Sequence, residues 1–190
     1  MADRLTALLA SWATRRNVLL LVALFIVMTA VLLPLADTRL SVLSGGAGPL
    51  DMRFSYTAAQ AYATLDAYGP AGREFDLNTE LTVDLLYPII YGLFCSLAIL
   101  YFRQRWGPAH PALARLALLP FLAVLADYLE NAAVIGLLLI YPDRLPPLAV
   151  AASLLTSAKW LLQGLSLALV AASAAGALLA RRQPMKPAAP

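Results

Sequence analysis

Residues 17–36 read NVLLLVALFIVMTAVLLPLA and contain no charged side chain. A bilayer has a hydrocarbon core about 30 Å thick, so a helix that crosses it needs about 20 consecutive apolar residues. This stretch therefore predicts a transmembrane helix. Its apolar run is longer than the core of a typical signal peptide, and Pro34-Leu35-Ala36 is a poor cleavage site. We expect the helix to be retained in the mature protein.

Three later stretches meet the same length requirement, at residues 81–102, 112–141 and 148–180. The composition agrees, because 61% of the 190 residues are hydrophobic and 13% are charged. Soluble domains have about 45–50% apolar and about 25% charged residues. The sequence thus predicts an all-α integral membrane protein, a four-transmembrane-helix bundle with a small ordered outer segment between helices 1 and 2.

Basic residues are unevenly divided between the connecting segments. Nine of them fall at or next to residues 1–16, the loop 103–111 and the tail 181–190, whereas four fall in the segments on the opposite side. Because cytoplasmic segments are enriched in Lys and Arg, both termini are expected in the cytoplasm. The expected location is the bacterial cytoplasmic (inner) membrane. The nine are Arg4, Arg15, Arg16, Arg103, Arg105, Arg115, Arg181, Arg182 and Lys186.

The N-terminal residues 1–16 are amphipathic. Leu5, Leu8, Leu9 and Trp12 fall on one helical face, with arginines on either side of them. This pattern is typical of a short helix that lies on an anionic leaflet. The alternative is that the first transmembrane helix simply begins earlier.

The outer segment, residues 37–80, is too long to be a bare turn. Apolar and polar residues alternate through 50–56, as in a β-strand, and residues 39–43 could pair with them as a hairpin. From Ala58 onward the apolar spacing is helical, and Gly69-Pro70 predicts the end of that helix. A shorter outer turn is expected at residues 142–147.

Ionisable and polar residues within the apolar stretches are the candidates for function. Asp127 and Glu130 lie on one face of the third helix, Lys159 lies in the fourth, and Asp84 lies in the second. Intramembrane ionisable residues commonly mark functional sites. Amides and tyrosines recur at helical spacing beside them. The candidate ligand-binding residues are Asp84, Tyr87, Tyr91, Asp127, Glu130, Asn131, Lys159 and Gln163.

A lone charge at the middle of a bilayer costs about 2.5–3.5 kcal/mol on insertion scales, so these groups should face each other rather than lipid. Counting outward from the turn between helices 3 and 4 places Lys159 level with Asp127 or Tyr128, and we expect Lys159 to pair with Asp127. Glu130 should then either stay neutral or accept hydrogen bonds from neighbours such as Asn131, Gln163 or Tyr91.

Three functional hypotheses follow. The first is a polar pocket in the outer half of the bundle that binds a lipid or a small polar or cationic molecule. The second is an intramembrane lipid- or sterol-modifying enzyme with Asp127 and Glu130 as acid and base. The third is a structural or assembly subunit, in which the polar residues only hold helices together.

The expected partners are membrane lipids, a lipid or small-molecule ligand, and a second membrane protein. A row of small residues at Gly164, Ala168, Ala172 and Gly176 favours close approach of another helix, of the same chain in the first instance. No cofactor is indicated. His110 is the single histidine and Cys95 the single cysteine, so neither a two-histidine metal site nor a thiol pair is expected. Nucleic-acid binding has no support, because the basic residues lie next to the membrane.

Overall fold

The computed structural model describes residues 2–105 and 114–182, with side chains up to Ala180. Within these residues the structure is helical and contains no β-strand. His110, most of the predicted loop at 103–111 and most of the tail at 181–190 lie outside the described residues. The helices are α1 (Ala2–Trp12), α2 (Arg15–Val27), α3 (Leu33–Leu43), α4 (Ala58–Glu80), α5 (Val83–Arg103), α6 (Leu119–Ile140) and α7 (Pro146–Arg182), with a π-helical turn at Met28–Leu32 and a 3₁₀ turn at Leu116–Leu118.

Four helical stretches of the described residues are long and apolar enough to cross a membrane, which confirms the predicted all-helical class. They are Arg15–Leu43, the apolar part of Ala58–Arg103, Leu116–Ile140 and Pro146–Ala180, called here spans 1 to 4. Spans 3 and 4 pack against each other as a hairpin, and α5 packs against both of them and against α2. Span 1 is thus attached mainly through α5 and leaves much of its own surface exposed.

Residues 2–12 form a helix of their own rather than an extension of span 1. The break falls at Ala13 and Thr14, where the Thr14 hydroxyl accepts a hydrogen bond from the Asn17 backbone N–H and so caps α2. The apolar side chains of α1 remain exposed, including Leu8 and Trp12. An ion pair between Asp3 and Arg115, 3.1 Å apart, ties this helix to the beginning of span 3.

Span 1 extends beyond the predicted end at Ala36, because the helix continues through Pro34 to Leu43. Proline lacks the N–H that an interior helical residue donates. Here the π-helical turn precedes it, and the Leu33 N–H bonds to the Met28 carbonyl five residues earlier. The helix therefore absorbs one extra residue next to Pro34 instead of ending there.

The predicted hairpin is wrong. Residues 39–43 belong to α3, and residues 50–56 form no strand. Leu50 and Tyr56 are buried, whereas Met52 and Phe54 are 54% and 56% exposed, so the alternating residues do not share one face. The physical reason is that polar groups of this segment bond to α7 rather than to a neighbouring strand.

The helix predicted from Ala58 begins there, with Thr57 and Gln60 forming a reciprocal capping box. At Gly69 the backbone turns sharply, with φ 60° and ψ −179°, a conformation that favours glycine. The first helical part of α4 therefore ends here, as predicted, and a second part follows at once in a new direction and continues to Glu80. This second half of α4 carries Asp76 and Glu80 into the interior.

Contrary to expectation, no other described helix covers most of the small-residue row on α7. Gly164, Ala168 and Ala172 are exposed, and a methyl group added at Gly164 would meet no atom within 4 Å. The side of α7 that carries this row is therefore open at Gly164.

Candidate functional site

Lys159 is the centre of a buried ion cluster. Its ammonium lies 2.8 Å from Glu130 Oε2, 3.7 Å from Asp127 Oδ1 and 3.7 Å from Asp51 Oδ2. Lys159 and Asp127 are almost completely buried and Glu130 is completely buried. The expected contact with Asp127 is present, but the closest partner of Lys159 is Glu130. Glu130 also accepts a hydrogen bond from Thr156, at 2.9 Å.

The preference for Glu130 follows from the direction of helical side chains. Asp127 and Lys159 are equally distant along the chain from the turn between α6 and α7. Helical side chains tilt toward the N-terminus of their own helix. On the antiparallel α6 and α7 these directions are opposite, so Lys159 tilts toward the turn and Asp127 away from it. Lys159 consequently reaches Glu130, which lies one helical turn closer than Asp127 to the connection between α6 and α7.

Asp51 joins this cluster from the outer segment and was not among the predicted site residues. The segment that contains Asp51 lies along α7 and is held there by hydrogen bonds to Ser153, Ser157 and Trp160. The Tyr56 N–H donates to Ser153 Oγ at 2.8 Å, Ser157 Oγ donates to the Phe54 carbonyl at 2.7 Å, and Trp160 Nε1 donates to the Asp51 carbonyl at 2.9 Å. These contacts place residues 51–56, here called the outer strap, over the ion cluster.

Tyr56 forms the end of the strap. Burial raises the pKa of Tyr56 to about 12. The phenol therefore stays protonated at ordinary pH, and Tyr56 adds no charge to the acidic surroundings. Its ring packs in the outer apolar core together with Leu50 and Tyr62.

Asn131 has a structural role near the start of α5. Pro88 cannot donate to the carbonyl four residues earlier, which is that of Asp84. Asn131 Nδ2 donates to this carbonyl at 3.0 Å and satisfies it. Tyr128 similarly donates to the Leu85 carbonyl, at 2.8 Å. The amide predicted to bind a ligand thus holds α6 against the proline-containing turn of α5.

The two predicted tyrosines of α5 make separate polar contacts. Gln163 Nε2 donates to the Tyr87 hydroxyl at 2.9 Å. The Tyr91 hydroxyl lies beside the Asp127 carboxylate, and Tyr91 is completely buried. The two rings meet edge to face, with centroids 5.2 Å apart. The structure therefore brings all eight predicted residues into one connected region.

A cavity of about 340 Å³ lies beside the ion cluster, between span 1, the outer strap, α4, α5 and α7. Five of the eight predicted residues line it, whereas Tyr91, Glu130 and Asn131 do not. Six acidic residues line the cavity, and Lys159 is the one basic residue among the described residues that do so. The six acids are Asp37, Asp51, Asp76, Glu80, Asp84 and Asp127.

Among the acids of the cavity, Asp76 and Glu80 combine almost complete burial with the absence of an ion pair within the described residues, whereas Asp127, which also has an unpartnered oxygen, pairs with Lys159. Asp76 and Glu80 are 4% and 5% exposed, yet Asp76 Oδ2 and Glu80 Oε2 have no hydrogen-bond partner within the described part of the chain. Neither forms an ion pair there. Sequence reasoning missed both, because it treated residues 37–80 as a segment outside the bundle. Their spacing of four residues, continued by Asp84, was the available signal, because such residues share a helical face.

The acids are not arranged as a metal site. In residues 2–105 and 114–182, no three His, Cys, Asp or Glu side chains converge closely enough to hold a metal ion. The cavity has apolar walls as well, formed in part by Phe25, Leu33, Phe75 and Trp160. An acidic interior combined with aromatic walls suits a ligand that carries a positive charge and an apolar part.

Comparison of the chain with protein-family models, with curated proteins and with solved structures finds no significant match.

Proposed function

We propose that this membrane protein binds a small organic cation with an apolar part in the acidic cavity. The observation that carries the proposal is the imbalance of charge, with six acidic residues and one ammonium around the same 340 Å³ space. Lys159 is already shared among Glu130, Asp127 and Asp51. Asp76 and Glu80 therefore have no compensating charge from Lys159.

Buried carboxylates without a partner are costly, because the interior of a protein solvates charge poorly. A bound cation would supply the missing positive charge, and the low dielectric would strengthen its attraction to the carboxylates. An anionic ligand would meet repulsion from Asp37, Asp76 and Glu80 instead. The charge of the site thus favours ammonium compounds.

The aromatic walls support the same class of ligand. Phe25, Phe75, Tyr87 and Trp160 line the cavity together with the acids. Cations are attracted to the faces of aromatic rings, by about 0.5–1 kcal/mol at exposed sites and more where water is excluded. Apolar portions of a ligand would gain from burial against the same rings.

The proposed setting is the bacterial cytoplasmic membrane, with cytoplasmic termini and a cavity in the outer half of the bundle. The nine basic residues on one side of the spans support this orientation. The exposed leucines of α1, with its arginines, support a position on the surface of the inner leaflet.

Acid–base catalysis by Asp127 and Glu130 has less support. Glu130 does not line the cavity, and its two carboxylate oxygens are occupied by Lys159 and Thr156. Of these two carboxylates, only that of Asp127 would be available to a substrate in the cavity. We therefore favour binding over turnover.

The test compares three ligands of one shape: benzylamine, benzyl alcohol and benzoate. The protein is reconstituted in lipid nanodiscs, and binding is measured from the shift in its unfolding temperature. Benzylamine should stabilise the protein at concentrations at which the neutral and anionic analogues have no effect. Glu80→Gln should abolish the shift, whereas Glu74→Gln, which alters an exposed acid on the same helix, should retain it. Equal shifts with all three ligands, or an unchanged shift in Glu80→Gln, would contradict the proposal.

A further inference from the structure

We infer that the ligand is a single-chain lipophilic amine that enters from the bilayer. Its ammonium lies between Asp76 and Glu80, and its hydrocarbon chain lies in the gap between span 1 and α7 at Gly164. This inference rests on the proposed function and adds to it the class of ligand, its orientation and its route.

The position of the ammonium follows from the two unpartnered carboxylates. Asp76 and Glu80 are four residues apart on α4, so their Cβ atoms are about 5–6 Å apart on one face. Both line the cavity, and both have a buried oxygen that accepts no hydrogen bond from the described residues. An ammonium group has three donors and can serve two carboxylates at once. Lys159 does not fill this role, because its partners are Asp51, Asp127 and Glu130.

The position of the hydrocarbon chain follows from the part of the cavity wall that span 1 and α7 form. Phe25, Thr29 and Leu33 of span 1 form one side of the gap, and Trp160, Gly164 and Leu167 of α7 form the other. Gly164 faces open space, since a Cβ atom added there would meet no atom within 4 Å. Trp160 and Leu167 are both partly exposed. The cavity therefore extends from buried acids to apolar side chains at the surface of the spans.

This arrangement selects among organic cations. A polyamine has no long apolar chain to place along Phe25, Leu33 and Leu167, so it would leave these side chains without an apolar partner. A zwitterionic phospholipid would bring its phosphate against Asp37, Asp51 and Asp84. The volume of about 340 Å³ is at the small end of ligand cavities, which range over about 300–1,000 Å³, and it suits one chain rather than two.

The experiment uses Trp160 as the reporter. Trp12 and Trp106 are replaced by Phe, and the protein is placed in nanodiscs of neutral lipid. The probe is dodecylamine with bromine in its chain, which quenches tryptophan fluorescence on contact. We expect saturable quenching of Trp160 by this amine, and only weak, non-saturating quenching by the brominated alcohol of the same length.

Two variants separate the chain from the ammonium. Gly164→Leu fills the gap, so it should weaken binding of the brominated amine by about tenfold or more while benzylamine still binds. The matched control is Ala172→Leu, which enlarges an exposed small residue two turns further along α7 and should change neither. Asp76→Asn together with Glu80→Gln should abolish binding of both amines.

The outcomes distinguish this inference from the proposed function. If benzylamine binds but the brominated amine does not quench Trp160, or if Gly164→Leu has no effect, the inferred route and ligand class are wrong and the cation site stands. Equal quenching by the amine and the alcohol also overturns the inference. If neither amine binds the unmodified protein, both proposals fail.

Discussion

The fold treats two groups of acidic residues differently. Asp51, Asp127 and Glu130 surround the ammonium of Lys159 at 2.8–3.7 Å. Asp76 and Glu80 are almost completely buried beside the cavity and have no basic partner within residues 2–105 and 114–182. The first group thus has a counter-ion in the chain, whereas the second has none in the described part of it.

The first group is therefore expected to stabilise the free protein, and the second to contribute to the proposed binding of a cation. An internal counter-ion holds helices together continuously, because breaking a buried ion pair exposes an uncompensated charge. A missing counter-ion costs stability in the free protein and returns it when a ligand arrives, since a ligand that binds only the folded state stabilises it. Substitutions in the two groups should therefore have opposite effects on the free protein.

Lys159→Met should have the largest effect. It leaves three carboxylates packed around an apolar side chain, and we expect a loss of about 3–5 kcal/mol in the free energy of unfolding. Denaturant unfolding in mild detergent measures it. Adding Glu130→Gln to the same variant should recover a large part of the loss, because it removes the closest unpaired charge. If Lys159→Met is as stable as the unmodified protein, the cluster does not hold the helices together.

Asp76→Asn should act in the opposite direction. At alkaline pH, where this carboxyl group is ionised, Asp76→Asn removes a buried charge that has no partner among the described residues, so the ligand-free protein should become more stable by on the order of 1 kcal/mol. The same unfolding measurement applies, with Glu74→Gln as the control at an exposed position of the same helix. A loss of stability in Asp76→Asn would mean that this carboxylate has a partner in the free protein, and the contrast between the two groups would not hold.

Asn131→Leu tests a polar contact that belongs to neither group. It leaves the Asp84 carbonyl without a donor, which should cost about 1–2 kcal/mol. The cost should largely disappear in a chain that also carries Pro88→Ala, because alanine returns the backbone N–H to α5. Unfolding of the two single variants and the double variant gives this coupling directly. Additive effects would show that Asn131 does not act through this carbonyl.

Ser157→Ala should have the smallest effect. It removes one of the three hydrogen bonds that hold the outer strap on α7, at a cost of about 0.5–1 kcal/mol. Faster hydrogen exchange in residues 51–56 is the expected sign, with exchange in α6 unchanged. The matched control is Ser166→Ala, whose hydroxyl bonds to the Leu162 carbonyl of its own helix. Equal exchange in the two variants would mean that Ser157 does not hold the strap.

The four apolar helices were predictable because length and hydropathy are local properties of the chain. Convergence of Asp84, Asp127, Glu130 and Lys159 was predictable as well, since buried charges require partners. Which of Asp127 and Glu130 lies closer to the Lys159 ammonium was not predictable, because it depends on the side-chain direction of Lys159 within one helical turn. The deciding difference, between 2.8 Å and 3.7 Å, is far smaller than one turn.

The spacing of Asp76 and Glu80 indicates a shared helical face, but the location of the acids of the outer segment could not be predicted from local pattern. Asp51 reaches Lys159 only because the outer strap lies along α7, and this depends on Ser153, Ser157 and Trp160, about a hundred residues away. Asp76 and Glu80 enter the cavity only because the chain changes direction at Gly69 and continues as a helix. A glycine followed by a proline indicates a break in a helix, but not the direction in which the chain proceeds.

The π-helical turn in span 1 decides which residues after it face the cavity. Each residue of an α-helix turns the following side chains by about 100°. The π-helical turn takes up one extra residue without passing this rotation on, so the residues after it keep the register relative to Phe25 that an α-helix shorter by one residue would give. If Met28–Leu32 formed ordinary α-helix with the same number of residues, Asp37 and Leu40 would rotate out of the cavity wall, although every side chain of the site would still be present. The shape of the cavity therefore depends on the conformation of a single helical turn.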